Sequence, residues 1–144
     1  MIQNDPAVID EMLRNAQTIA VVGMSDKPWR ASHNIGRYLV LQGYRVLPVN
    51  PRLKEVHGLT CYPDLDSAQQ AARSDGSTGI DIVDVFRAPV NVPPIAEDVI
   101  RLGIPYLWLQ EEVIHDKAVA RARSAGVKCV QNVCIFREHA QRVG

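Results

Sequence analysis

Four short segments hold the residues whose types could do chemistry: "GMSDKPWRASHN" at 23–34, "VNPRLK" at 49–54, "FRAPVN" at 86–91 and "LQEEV" at 109–113. The first follows two valines and opens on Gly23, as a buried strand does when it enters a phosphate-binding turn. The dinucleotide fingerprint G-x-G-x-x-G needs two further glycines, and the chain supplies Met24, Ser25, Asp26, Lys27 and Pro28 instead. It also supplies the hydroxyls of Ser25 and Ser32 and the charges of Lys27 and Arg30, just ahead of a predicted helix whose first N–H groups attract anions. Each exposed charge–dipole contact is worth only about 0.3–1 kcal/mol, but several converge here. The segment is read as a phosphate cradle, against the plainer reading of a solvated turn.

The second segment narrows the ligand. NAD-binding domains usually end this strand with an acid that accepts from ribose hydroxyls. Here the exit carries Asn50, Pro51, Arg52 and Lys54, with no acid before Glu55. Such a basic exit suits a nucleotide phosphorylated on its ribose, NADP or coenzyme A; otherwise it is a proline-stiffened surface turn. In the third segment Phe86 and Arg87 stand at the rim, where Arg87 can meet a phosphate and the apolar rim can line a pantetheine channel. Phe86 reads equally well as core. In the fourth, Trp108 reads as core, while Gln110 and Glu111 reach the rim to cap or hydrogen-bond. Trp29 is assigned to packing on the domain surface, with stacking on adenine as the alternative.

The elements that must position these residues follow one local grammar. A helical stretch, a glycine and an apolar run recur as "YLVLQGYRVLPV", "VIRLGIPYLWL" and "RARSAGVKCV", with Gly43, Gly103 and Gly126 at the helix ends. Repeated helix–glycine–strand units imply a parallel sheet with right-handed crossovers. The patterning predicts helices near 5–16, 32–42 (capped by Ser32), 66–73, 92–102 (capped by Asn91) and 116–125. Strands are predicted near 18–23, 44–49, 80–86, 105–110 and 127–131, with a short edge strand near 59–62. The fold class is α/β, a Rossmann-like doubly wound parallel sheet of about five strands with helices on both faces. Residues 1–144 read as one domain. Ligands of such sheets bind outside the carboxyl ends of the strands, where strand order reverses, so the four segments should meet there.

Composition excludes other classes. Sixteen basic residues balance sixteen acidic ones, which argues against a general nucleic-acid or membrane-surface protein. Asp5, Asp10 and Glu11 interrupt any signal-like apolar run, and no stretch is apolar enough to span a membrane. Cys61, Cys129 and Cys134 form no C-x-x-C pair, and the four histidines have no metal-ligand spacing. The expectation is a reduced, cytoplasmic, metal-free protein.

Together, "VVGMSDKPWR", "SHNIGRYL", "GYRVLPVNP", "IDIVDVFRAP" and "LWLQEEV" resemble the small stand-alone CoA-binding proteins, whose fold is similar to the N-terminal CoA-binding domain of the succinyl-CoA synthetase α subunit. The resemblance spans roughly residues 17 to 139. It implies that Gly23, Met24, Ser25, Lys27, Arg30 and Ser32 surround the CoA phosphates. It likewise places Asn50, Pro51 and Arg52 near the adenosine end, with Phe86, Arg87 and Gln110 at the other strand exits. Two departures stand out: Glu112 occupies a position where glycine is common, and "QNVC" replaces a more polar tail ending in arginine before Cys134.

No catalytic constellation is evident. Ser25 has no base in its own motif, and Cys134 reads as an inert buried thiol. His33, at the helix start, reads as a surface histidine or a phosphate contact. The expected function is a binding module for coenzyme A or acyl-CoA that does not transform it. The alternatives are an NADP-binding oxidoreductase domain and an acyl-CoA-sensing subunit that docks on a protein partner.

Overall fold

The computed structural model describes residues 2–143. Five parallel strands form one sheet: β1 (Thr18–Val22), β2 (Arg45–Val49), β5 (Ile82–Val85), β6 (Tyr106–Leu109) and β7 (Lys128–Val130), in the spatial order β2-β1-β5-β6-β7. The chain winds from β1 outward to β2, then returns to the other side of β1 with β5. Strand order therefore reverses between β1 and β5. A separate antiparallel hairpin, β3 (Glu55–Val56) with β4 (Leu59–Thr60), follows β2.

The period-two side chains of the sheet feed two cores. On one face Ala20, Val22, Leu47, Val83, Val85 and Leu107 pack under α3 (Leu65–Arg73), α4 (Val92–Arg101) and α5 (Asp116–Ser124). On the other, Ile19, Val21, Val46, Ile82 and Trp108 pack under α1 (Pro6–Asn15), α2 (Ala31–Leu41) and α6 (Ile135–Val143). Trp108 is fully buried, as expected of a core residue, and its indole N–H donates to the Val133 carbonyl at 2.8 Å.

Several expectations need correction. The helix α2 begins one residue before Ser32, with Arg30 at the cap position and no side-chain cap. Ser32 lies inside the first turn because its hydroxyl is committed to the loop. Asn91 occupies the cap position of α4 but makes no side-chain cap bond, because the 3₁₀ turn Pro89–Asn91 already curls the chain. The expected edge strand divides. Leu59–Thr60 pairs within the hairpin, and Tyr62 alone bridges to Val49 on the edge of β2. Helix α6 was not anticipated: one of its two buried residues, Ile135 and His139, is polar. Trp29 does not pack on the domain surface; it is 76% exposed. Cys134 is half-buried rather than buried, lying just ahead of α6.

One buried group stands apart. Asp84, central in β5 between Val21 and Trp108, is fully buried, and both of its carboxylate oxygens lack a hydrogen-bond partner. Burial holds this carboxyl well above the usual carboxylate range, so the folded chain keeps a proton that the unfolded chain releases. A raised folded-state value makes the group's contribution to stability decline as pH rises from about 4 toward that value. Asp84→Asn, neutral at every pH, removes that decline. In urea denaturation between about pH 4.5 and 7.5, the stability of Asp84→Asn relative to the parent is expected to grow steadily with pH. A difference that stays flat would show that the carboxyl is ionised in the fold.

Candidate functional site

A cleft of about 540 Å³ opens where strand order reverses, lined on one side by Ser25–Lys27 and Arg30–Ser32 and on the other by Asn50, Arg52 and Leu53, with Gly23 and Phe86 between them. Its floor is set by a close approach. Gly23 extends the sheet by donating to the Val49 carbonyl at 2.8 Å, and Phe86 does so by donating to the Val22 carbonyl at 2.8 Å. Gly23 has φ +87°, and a β-carbon there would lie 2.6 Å from the Phe86 carbonyl oxygen. Only glycine lets the chain leave β1 on this path.

Beyond Gly23 the loop is tied to itself. The Ser25 N–H donates to the Ser32 hydroxyl oxygen at 3.0 Å, and the Lys27 N–H donates to the Ser25 hydroxyl oxygen at 3.0 Å. Asn34 donates to the Pro28 carbonyl at 2.9 Å, and His33 Nδ1 lies 3.0 Å from the Ser25 carbonyl. These bonds fold the loop back over the start of α2. Ala31 and Ser32, the first two helical residues, line the cleft, and an α-helix leaves the N–H groups of its first turn for outside acceptors. On the opposite wall Asn50 donates to the Met24 carbonyl at 3.1 Å and accepts from the Arg52 N–H at 2.9 Å.

The cleft's lining carries Lys27, Arg30 and Arg52 against one carboxylate, Asp26, a balance of three positive charges minus one, or +2. All four are exposed. In a chain with no net charge this is a local concentration of positive potential beside a helix N-terminus, the arrangement that holds phosphate. Lys27 Nζ also stands 6.0 Å from the Trp29 ring centroid, which keeps that exposed aromatic beside the cationic loop.

Eight of the twelve expected binding residues line this cleft: Gly23, Ser25, Lys27, Arg30, Ser32, Asn50, Arg52 and Phe86. Four stand elsewhere. The Met24 side chain is buried against Gly36 on α2. Pro51 and Arg87 line a neighbouring recess of about 240 Å³ with Pro63, Asp64, Asn91 and Pro94. Gln110 is buried, and its side-chain oxygen accepts from the Ile135 N–H at 3.1 Å, holding the start of α6. Asp26, Ala31 and Leu53 line the cleft and were not expected, although each adjoins an expected residue in sequence. Glu112 has φ +72°, a left-handed conformation that explains why glycine suits that position. Among the described residues no cluster of three or more potential metal ligands exists, and no helix is long and apolar enough to cross a membrane.

Two glycine variants separate close approach from backbone conformation. Gly43 has φ +96° with open space around it, whereas Gly23 combines positive φ with the Phe86 contact. Gly23→Ala is expected to destabilise the fold by about 1–2 kcal/mol more than Gly43→Ala, read from urea midpoints at constant slope.

Residues 17–140 match the CoA-binding domain family. The chain is 34% identical over 134 residues to YneT, an uncharacterised protein of Bacillus subtilis (strain 168), covering 93% of each. A hypothetical protein from Pyrococcus horikoshii OT3 superposes with a TM-score of 0.85 at 32% identity, covering 100% of this chain and 99% of that one. The dinucleotide-forming acetyl-coenzyme A synthetase 1 of Ca. Korarchaeum cryptofilum, in its apo form, superposes with a TM-score of 0.67 at 26% identity, over 85% of this chain and 27% of that one. With its strand order, its switch-point cleft and a match across nearly its whole length, the chain belongs to the CoA-binding domain family.

Proposed function

We propose that the protein is a binding module for coenzyme A or an acyl-CoA, held in the switch-point cleft without chemical transformation. The observation that carries this reading is the meeting of Lys27 and Arg30 on the first loop with Arg52 on the exit of β2, beside the start of α2. The loop and the helix N-terminus suit a pyrophosphate. Arg52 on the facing wall suits a phosphate on the ribose, since a guanidinium offers a planar pair of donors. The family match and the likeness to a synthetase named for acetyl-coenzyme A support the same ligand.

The non-catalytic part of the reading rests on how the candidate nucleophiles are used. The Ser25 hydroxyl accepts from a backbone N–H, and the nearest histidine, His33, is engaged with the Ser25 carbonyl rather than with that hydroxyl. Cys61 and Cys129 are buried, and burial raises both thiols above their ordinary range, Cys129 to about 12. Neither is a thiolate at neutral pH.

Calorimetric titration with CoA, dephospho-CoA, NADP and NAD tests the proposal. CoA is expected to bind most tightly and to lose affinity sharply without its 3′-phosphate. Arg52→Ala should weaken CoA about tenfold or more while changing dephospho-CoA little, the loss expected of one charge-assisted pair. A response to NADP without one to CoA overturns the proposal in favour of an oxidoreductase domain.

A further inference from the structure

The two walls of the cleft are joined twice, and the second join uses residues that do not line it. Near the floor, Asn50 on the β2 exit donates to the Met24 carbonyl of the first loop. The same wall continues through Leu53 and Lys54 into the β3–β4 hairpin, whose base is closed by the Cys61 N–H donating to the Lys54 carbonyl at 2.9 Å. At the hairpin tip, His57 and Gly58 both have positive φ, +54° and +76°. Consecutive positive φ values make a tight turn in which Asn, Asp or Gly sits comfortably at the first position, and histidine does so at a cost.

The conformation places His57 against the other wall. Its Nε2 lies 2.8 Å from the His33 carbonyl, and its ring centroid is 4.0 Å from that of His33, tilted by 45°. His33 in turn reaches the Ser25 carbonyl through Nδ1 at 3.0 Å. A carbonyl only accepts, so these contacts fix the proton on Nε2 of His57 and on Nδ1 of His33. The result is a continuous tie from Ser25 through both imidazoles to the hairpin and back to Arg52.

We propose that His57 is a positioning residue that fixes the spacing between the loop and the Arg52 wall, and thereby sets the cleft's preference for a nucleotide phosphorylated on its ribose. The selectivity half rests on the coenzyme A reading; the positioning half does not. Without the upper tie the β2 exit pivots about Asn50, and Arg52 loses its fixed distance from the loop that holds the pyrophosphate.

His57→Asn is the discriminating variant, because asparagine keeps the positive-φ turn while losing the ring contact and falling short of the His33 carbonyl. In amide hydrogen exchange on the ligand-free protein, residues 25–33 are expected to exchange about fivefold faster than in the parent, the loss of one hydrogen bond's protection. Unchanged exchange there overturns the positioning role. In titrations with CoA and dephospho-CoA, the ratio of their affinities should fall about fivefold, with dephospho-CoA itself nearly unaffected. Equal loss of both ligands, or loss of neither, overturns the selectivity role. His33→Ala removes the ring contact and the Ser25 tether but keeps the backbone carbonyl that His57 reaches, so it should reproduce both effects only in part, and adding His57→Asn should bring the remainder. If the parent binds neither nucleotide, the coenzyme A reading falls and the exchange measurement alone decides the role of His57.

Discussion

The site hangs on the approach of the Gly23 backbone to the Phe86 carbonyl, where the β1 exit passes so close that a methyl group would overlap the oxygen. This happens between the two strands where sheet order reverses, because only there do two adjacent strand exits diverge to opposite sides and leave a crevice. A side chain at residue 23 would lift the loop away from β5. Ser25 would then lose its place under Ser32, and the hydrogen bonds that fold the loop over the start of α2 would have nothing to close on. The absence of the other fingerprint glycines is compatible with this geometry. In place of those glycines the loop is stitched by serine hydroxyls and by Asn34, and Lys27 and Arg30 add charge.

Sheet parity decides which residues share the cleft. Successive strand residues point to opposite faces, and this continues just past the strand ends. Phe86 therefore joins the cleft on the α2 side, while Arg87 turns to the recess between α3 and α4. Arg52 and Pro51 are parted instead by the turn that follows β2. Two neighbouring concavities thus straddle the carboxyl edge of the sheet, one cationic and one framed by prolines and carboxylates. A long, jointed ligand with charge concentrated at one end is the kind of molecule such a pair suits.

Much of this was legible in the sequence. The buried strands were, because parallel strands covered on both faces are short apolar runs closed by helix-ending glycines. The cleft's main residues were too, because fold class alone directs attention to the strand exits. What stayed hidden depends on the path of the chain rather than on residue type. The bond between Ser25 and Ser32 exists only once the loop has turned back, so Ser32 passed for a helix cap. Helix α6 escaped because half of what it buries is a histidine, His139, whose place in the core depends on its bond to the Tyr38 hydroxyl. Gln110 carried no sign that it would serve that helix. The parity that sends Arg87 away from Phe86 was available from the alternation of the strand, yet a motif read as a pair conceals it.

Much of the buried polarity in this fold is accounted for by short bonds to backbone. Gln69 accepts from the Ile80 N–H at 2.7 Å, and the Gln131 amide oxygen accepts from the His115 N–H at 2.9 Å. Among the described residues only the Asp84 side chain has buried polar atoms with no hydrogen-bond partner at all. It stands beside Val21, two residues before Gly23, and two residues before Phe86 on the same face of β5. With a rise of about 3.3 Å per residue, that places the carboxyl roughly 7 Å along the strands from the floor of the cleft. An ionised carboxylate there would oppose the positive potential that Lys27, Arg30 and Arg52 build above it. Burial pushes the carboxyl toward its neutral form, which weakens that opposition. The apolar packing of Val21, Ile82 and Trp108 around β5 thus disfavours a negative charge beneath the cleft.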